Sequence, residues 1–130
     1  CIAVDPWFIV NSAPEEARLI HTARLVNDSK PHFVLKKIKQ AVVATRKKKS
    51  EVKVACLGLT FKPNIDDLRG SPALESAKQV GLMGLYKQYL VEPNIDRMPV
   101  GFYSQNTELV ELKIALKDCD VVVLLGCVAV

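Results

Sequence analysis

Apolar residues in the first third of the chain recur at three- and four-residue spacing, which is typical of one face of a helix. Ser12 and Glu15 fit the S-x-x-E capping box, so the pattern predicts a helix that begins at about Ala13. The segment 27–31, which ends in a proline, either ends this helix or kinks it, and helical periodicity then continues to about Arg46. The pattern therefore predicts a helical span of roughly 33 residues, or ~50 Å at 1.5 Å per residue.

A helical span of this length is too long for a small domain to bury by itself. We therefore predict a connecting helix whose apolar face lies partly in a dimer interface, with a long helical hairpin as the alternative. Residues 1–10 precede the helix and are predicted to form a compact loop or a short extended segment. The first part of the chain, residues 1–50, thus holds this loop and the connecting helix.

From residue 51 onward, short apolar runs alternate with helical patterns. Such alternation predicts an α/β fold with a parallel, Rossmann-like sheet and right-handed crossovers. Three strands are too few to finish a sheet of this kind, so we expect the domain at 51–130 to be incomplete and the natural protein to continue beyond it. The predicted elements are a strand at 52–59, a helix at 72–83, a strand at 89–92, a helix at 107–117 and a strand at 121–125.

The loop after the first predicted strand carries the most distinctive chemistry. Lys62, Arg69 and two aspartates cluster there, and open α/β sheets bind ligands at the carboxyl ends of their strands. Ser71 is predicted to cap the next helix and Pro72 to be its first residue, so backbone N–H groups would face the loop, as an anion site requires. The pattern points to a phosphate-bearing ligand, but spacing alone leaves an ordinary solvated loop as the commoner alternative. The loop lacks the G-x-G-x-x-G fingerprint, which excludes the dinucleotide-binding half of such a fold.

Composition narrows the class of function. The 130 residues carry a net charge of +4, most of it from a basic segment at 36–49 that no nucleic-acid reader motif accompanies, so no nucleic-acid partner is predicted. The four cysteines contain no C-x-x-C pair and the two histidines have no ligand spacing, so neither a metal site nor a disulfide framework is predicted. Without a signal peptide or a membrane-spanning run, we expect a cytoplasmic protein with no membrane partner. A first residue other than Met suggests a piece of a longer protein.

Three separated motifs carry a family resemblance. They are C-I-A-V-D-P-W-F at residues 1–8, V-N-D-S-K-P at 26–31 and F-K-P-N-I-D-D-L-R at 61–69. The first resembles the catalytic-cysteine segment of the UDP-glucose/GDP-mannose dehydrogenase family, and the third, with Ser71 and Pro72 after it, resembles the family's substrate-binding loop. The resemblance covers nearly the whole chain and is strongest to members that act on UDP-N-acetyl-D-mannosamine.

The resemblance implies oxidation of the C6 hydroxyl of this UDP-sugar to a carboxylate, with NAD, for surface polysaccharide biosynthesis. Cys1 matches the nucleophile that attacks the intermediate aldehyde and forms a thioester, a chemistry that suits a thiolate. Asp5 matches the family's aspartate near that nucleophile. Phe61 and Lys62 match substrate contacts, and Arg69 matches a residue that reaches NAD. The cofactor itself would be bound mainly by an N-terminal domain outside this chain, so the chain alone is expected not to turn over.

Two features depart from the family pattern: Gly70 stands where a glutamate is expected, and the last residues lack the expected D-H motif. The alternative to a dehydrogenase segment is a stand-alone nucleotide-binding and dimerisation module without catalysis. The partners predicted on either reading are a UDP-sugar or nucleotide and a second copy of the chain.

Overall fold

The structure, a computed structural model, describes residues 4–102 and 106–126. Among these residues, no helix is both long enough and apolar enough to cross a bilayer. The elements are, in chain order, α1 (Asp5–Ser12), α2 (Arg18–Asp28), α3 (Lys30–Ala44), a short 3₁₀ helix (Lys49–Glu51), β1 (Lys53–Leu57), α4 (Pro72–Gly81), β2 (Lys87–Val91), β3 (Thr107–Leu109), α5 (Leu112–Asp118) and β4 (Val121–Leu124).

The chain divides into two compact units, Cys1–Phe33 and Val34–Val130. The division falls inside α3, upstream of the boundary that the sequence suggests at residue 50. The reason is that Ile38 and Val42, in the second half of α3, are buried in the same core as the strands. The second unit therefore takes its first helical layer from the connecting helix itself.

The first unit begins with a helix where the sequence predicted a loop. Pro6 lies in the first turn of α1, where a missing N–H leaves no helical hydrogen bond unmade. Ser12 is the last residue of α1, and its hydroxyl donates to the carbonyl of Phe8 at 2.8 Å. The predicted capping box is therefore wrong, because the Ser12 side chain is already bonded to the helix that precedes it. Helix α2 begins at Arg18 without a side-chain cap.

The long helical pattern that follows is confirmed as two helices, α2 and α3, with Ser29 between them. Ser29 keeps right-handed helical dihedral angles (φ −78°, ψ −14°), and its N–H donates to the carbonyl of Leu25 at 3.1 Å. Pro31 is the second residue of α3, a position that proline tolerates well. The two helices are thus separated by Ser29 alone, and the proline lies in the first turn of the second one.

The second unit is a four-stranded parallel sheet in the order β3-β2-β1-β4, which confirms the predicted Rossmann-like α/β class. At the end of β1, Leu57 lies opposite Val91 of β2 and Leu124 of β4. Helices pack on both faces of the sheet, but Val122 and Leu124 of β4, on the same face as α5, stay exposed. One face packs on α3 and α4 through Ile38, Val42, Val54, Cys56, Leu59, Ala77, Val80 and Leu90, and the other packs on α5 through Ala55, Leu57, Tyr89, Val91 and Ala115.

The prediction missed strand β3, which lies where the sequence suggested the start of a helix. Thr107 is buried, and its hydroxyl donates to the side-chain oxygen of Gln88 on β2 at 3.0 Å. The N–H of Val110 donates to the carbonyl of Leu90 at 2.9 Å. This pairing with β2 makes residues 107–109 a strand instead of the start of a helix. Helix α5 consequently begins at Leu112, five residues later than predicted.

Gly58, directly after β1, lies against the backbone of Gly126, after β4. Gly58 has a φ of +78°, and a Cβ atom there would lie 2.6 Å from the carbonyl oxygen of Gly126. Its N–H donates to the carbonyl of Val91 at 2.9 Å. The ends of β1, β2 and β4 therefore meet at one point, which only a residue without a side chain can occupy.

We expect Gly58→Ala to lower the free energy of unfolding by about 2–5 kcal/mol, from left-handed backbone strain and overpacking together. The matched control is Gly84→Ala, which has a φ of +71° with no atom within 4 Å of the added Cβ. The control should lose only about 1–2 kcal/mol. Chemical denaturation of both variants measures the difference, and equal losses would contradict the close contact with Gly126.

Candidate functional site

The candidate site lies in the second unit, at the edge where the parallel strands end. The loop between β1 and α4 begins there with Leu59 and Thr60, both buried, and becomes exposed from Phe61 onward. Ser71 closes the loop, as predicted, by capping α4: its hydroxyl oxygen accepts from the N–H of Leu74 at 3.3 Å. The Ser71 hydroxyl also donates to the carbonyl of Leu59 at 2.7 Å. The two ends of the loop are thereby joined.

A buried carboxylate supports the start of this loop. Glu92 follows β2 directly and is only 3% exposed. Its Oε2 accepts from the N–H of Leu59 at 2.8 Å and from the N–H and hydroxyl of Thr60, both at 3.1 Å. Its Oε1 accepts from the N–H of Asn94 at 3.3 Å and from the Asn94 side-chain amide at 2.9 Å. The carboxylate thus joins the end of β2 to the loop after β1.

The hydrogen bonds keep Glu92 ionised despite its burial. Desolvation alone would raise the pKa of the Glu92 carboxyl, but the bonds from Leu59, Asn94 and Thr60 outweigh it, and the pKa lies below its usual value. Within the described residues, Glu92 has no ion pair to a lysine or an arginine. Its charge is therefore balanced by N–H and O–H dipoles of the neighbouring segments.

An open cleft of about 320 Å³ lies beside this support. Phe61 and Lys62 line one part of it, and the first residues of α4 line another. The N-terminal end of a helix carries partial positive charge, so this cleft presents a cation and a helix end to the same space. The lining residues are Thr60, Phe61, Lys62, Pro63, Ser71, Pro72, Ala73, Leu125 and Gly126.

Arg69 lies in the same loop but does not line the cleft. Its Nε and Nη2 donate to the two carboxylate oxygens of Asp67, both at 2.9 Å, and its backbone N–H donates to Oδ1 at 3.0 Å. The guanidinium holds the pKa of the Asp67 carboxyl down at about 2. The Arg69 side chain is 91% exposed, so the donors that Asp67 does not use face solvent.

The structure brings together only part of the predicted set of site residues. Phe61 and Lys62 share the cleft, whereas Arg69 stands outside it, held by Asp67. Asp5 is the first residue of α1 in the other unit and is exposed. Cys1 lies outside the described residues. Across residues 4–102 and 106–126, no group of histidine, cysteine or acidic residues could hold a metal ion.

Sequence reasoning missed Glu92 as a site residue and treated it as the last residue of a strand. The available signal was its position, an acid immediately after the apolar run Leu90–Val91, where the carboxyl ends of parallel strands collect functional groups. The three amide donors that make it important belong to the backbone, which sequence patterns do not place.

The opposite edge of the sheet holds a second cleft of about 400 Å³, but its charges are internally paired. Lys53 Nζ lies 2.6 Å from Asp118 Oδ1, and the hydroxyl of Tyr89 donates to the same carboxylate. The pKa of Tyr89 rises to about 12, because its hydroxyl bonds to Asp118 and because of burial. Lys87 pairs with Glu108. This edge is a network of ion pairs that holds strands and α5 together.

The sequence of the chain is similar to that of a known protein family and to those of named members of that family. The sequence profile of the UDP-glucose/GDP-mannose dehydrogenase family, UDP binding domain, matches residues 55–127. The UDP-N-acetyl-D-mannosamine dehydrogenase of Salmonella typhi is 52% identical over 129 residues, which cover 96% of this chain and 30% of that protein. The NDP-N-acetyl-D-galactosaminuronic acid dehydrogenase of Ralstonia nicotianae is 53% identical over 125 residues, which cover 96% of this chain and 28% of that protein.

Solved structures of similar proteins share the fold. The UDP-D-ManNAc dehydrogenase of Pyrococcus horikoshii matches with a TM-score of 0.76 and 25% identity, over 97% of this chain and 28% of that chain. The native structure of the UDP-N-acetyl-mannosamine dehydrogenase of Staphylococcus aureus matches with a TM-score of 0.69 and 30% identity, over 97% of this chain and 26% of that chain. The present chain therefore spans less than a third of the length of these relatives.

The Asp67–Arg69 pair gives a prediction that nuclear magnetic resonance can check. With a pKa of about 2, Asp67 should be about nine-tenths ionised at a pH of about 3, whereas an aspartate of ordinary pKa near 3.9 is mostly protonated there. Arg69→Gln should therefore shift the Asp67 carboxyl resonance at this pH toward the protonated value. Because the folded-state pKa is depressed, the contribution of Asp67 to stability is present above about pH 4 and is lost as the pH falls toward 2.

Arg97→Gln is the matched control for this experiment, since Arg97 is exposed and lies in a different loop. It should leave the Asp67 resonance unchanged. Equal Asp67 ionisation in the unsubstituted chain and in Arg69→Gln would show that the guanidinium does not set this pKa.

Proposed function

Because the chain belongs to the UDP-glucose/GDP-mannose dehydrogenase family, we propose that the cleft between Phe61, Lys62 and the start of α4 binds the UDP part of a nucleotide sugar. The observation that carries this proposal is the meeting of a lysine and a helix N-terminus in one cleft at the carboxyl edge of the sheet. A diphosphate is the ligand that such a combination favours, because the lysine supplies a full charge and the helix end adds partial positive charge, although Pro72 has no N–H and the Leu74 N–H is bonded to Ser71. Phe61, 38% exposed, offers an apolar surface beside them.

For the protein that contains this segment, we propose oxidation of UDP-N-acetyl-D-mannosamine to its uronic acid. Support comes from the names of relatives at about half identity, although the chain spans only 30% of their length. The similar galactosaminuronic acid dehydrogenase of Ralstonia nicotianae makes UDP-N-acetyl-D-galactosamine the substrate to compare. The proposal includes a cytoplasmic location and a role in surface polysaccharide biosynthesis.

The proposed chemistry uses the resemblance of residues 1–8 to the family's nucleophile segment. The Cys1 thiolate adds to the C6 aldehyde to give a thiohemiacetal; its oxidation yields a thioester, which water cleaves to the carboxylate and the free thiol. Asp5 is assigned to orienting that water or relaying its proton. Two molecules of NAD, bound in succession, would supply the hydride acceptors, one for oxidation of the C6 alcohol to the aldehyde and one for oxidation of the thiohemiacetal to the thioester.

Arg69 is the residue of this chain that we assign to the cofactor. Two guanidinium nitrogens are engaged by Asp67, and the remaining donors of an almost fully exposed side chain fit an anionic group such as a phosphate. The chain has no G-x-G-x-x-G loop, so the main dinucleotide site is assigned to a preceding domain.

The proposal keeps the functional division at residue 50. Residues 1–50 supply the catalytic-cysteine segment and the connecting helix, through which we propose that the protein forms a homodimer. Residues 51–130 supply the UDP-binding domain. The second candidate function, a nucleotide-binding and dimerisation module without catalysis, is favoured by one observation: the cleft is built entirely from residues of the second unit.

We expect the chain to bind UDP and Lys62→Ala to bind it about tenfold or more weakly, because one charge-assisted hydrogen bond is worth roughly 1.5–3 kcal/mol. Isothermal titration calorimetry measures both dissociation constants. Lys113→Ala removes the same charge from an exposed position on α5 and should leave the affinity unchanged. Equal affinities for all three proteins would contradict the assignment of Lys62.

Turnover separates the dehydrogenase from the binding module. The full-length protein should form NADH and a uronic acid from UDP-N-acetyl-D-mannosamine faster than from UDP-N-acetyl-D-galactosamine, and Cys1→Ala should abolish formation of the acid. The 130-residue chain alone should bind UDP without producing NADH. Acid formation that survives Cys1→Ala would contradict the proposed nucleophile, and the absence of any turnover by the full-length protein would favour the binding module.

A further inference from the structure

Glu92 is a buried charge whose partners all belong to two backbone segments. Its five hydrogen bonds come from Leu59, Thr60 and Asn94, and three of the five donors are main-chain N–H groups. A carboxylate is the only common side chain that can accept this many bonds at one place without donating any. The arrangement is therefore specific for an ionised acid.

The loop segment that Glu92 holds continues directly into the cleft. The hydroxyl of Thr60 lies 3.1 Å from Glu92 Oε2 and 2.9 Å from the carbonyl oxygen of Lys62. Because the hydroxyl has one proton, the carboxylate and the backbone carbonyl of the cleft-lining lysine share it as alternative acceptors. Thr60 itself lines the cleft and is 5% exposed.

The same segment is fixed from its other side by the start of α4. The carbonyl of Leu59 accepts the hydroxyl of Ser71, whose oxygen also caps the helix. Leu59 is therefore held by its N–H to Glu92 and by its carbonyl to Ser71. Both backbone polar groups of Leu59 are therefore hydrogen-bonded: the N–H to a residue that follows strand β2, and the carbonyl to the residue that caps helix α4.

We propose that Glu92 is a positioning residue of the nucleotide-sugar cleft: it fixes residues 59–62 in the conformation that presents Phe61 and Lys62 to the ligand. Glu92 acts through Thr60 and the loop backbone and does not itself line the cleft. Preorganisation of this kind raises affinity, because the free protein already holds the geometry that the ligand needs. The inference rests on the proposed function, since it concerns the same cleft.

Glu92→Gln is the direct test. Glutamine keeps the size of the side chain, but its NH₂ group cannot accept a hydrogen bond. This group would lie against the N–H donors of Leu59 and Thr60 or against those of Asn94, and the bonds on that side would be lost. We expect the dissociation constant for UDP to rise at least tenfold, in samples that remain folded by circular dichroism. Glu92→Asp keeps only acceptors and should bind UDP more tightly than Glu92→Gln. A purely structural role would lower the melting temperature of both variants without this order of affinities.

Glu108→Gln is the control for charge, because it removes the same charge from an exposed strand residue whose partner is Lys87 at the opposite edge. Its affinity for UDP should equal that of the unsubstituted chain. Thr60→Val provides a second route if Glu92→Gln does not fold, since it deletes only the hydroxyl link and keeps the Thr60 N–H. It should weaken UDP binding by a smaller factor, while the chain stays folded.

The outcomes distinguish this inference from the proposed function. If the unsubstituted chain binds UDP and both Glu92→Gln and Thr60→Val, while folded, bind it equally well, the positioning role is overturned and the proposed function stands. If the unsubstituted chain does not bind UDP at all, the proposed function fails and the inference fails with it. A selective loss in Glu92→Gln, with Glu108→Gln unaffected, supports both.

Discussion

The parallel pairing of β1 with both of its neighbours is the constraint on which the rest of the second unit depends. Because Leu57 lies opposite Val91 and Leu124, the residues that follow these three strands emerge side by side. Gly58 can then pack against Gly126, and Glu92 can reach the N–H groups of the loop. The candidate site is a consequence of this register, since a shift along any strand would separate its parts.

The two edges of the sheet show why only one of them suits an anionic ligand. At the edge where β1 and β2 begin, each lysine in the cleft has a carboxylate partner, Asp118 for Lys53 and Glu108 for Lys87. At the edge where they end, the acid is buried and its charge is directed at loop N–H groups, whereas the lysine is exposed in the cleft. The positive potential of Lys62 and of the α4 terminus is thus left for a ligand.

Periodicity and capping chemistry could predict most elements of the fold, because those signals are local. The α2–α3 span, the strands β1, β2 and β4, and the cap at Ser71 all follow from nearest neighbours in sequence. Strand β3 could not be predicted, because its conformation depends on hydrogen bonds to β2 and on the buried Thr107–Gln88 pair. The helix start predicted at Ser12 was wrong for a related reason. A serine hydroxyl can cap the helix that follows it or donate to a carbonyl of the helix that precedes it, and the sequence does not show which. In the site, Lys62 could be singled out by motif, but the role of Glu92 depends on amide positions that only the folded backbone defines.

The central claim is that the cleft at the carboxyl edge is the place where a uridine diphosphate binds. Its most direct test is a titration of the isotopically labelled chain with UDP, followed through the backbone amide resonances. The account predicts that the largest shifts fall on residues 60–62, on 71, 73 and 74 at the start of α4, and on 125–126. Shifts concentrated instead around Lys53, Tyr86 and Lys87 at the opposite edge, or none at millimolar UDP, would contradict it.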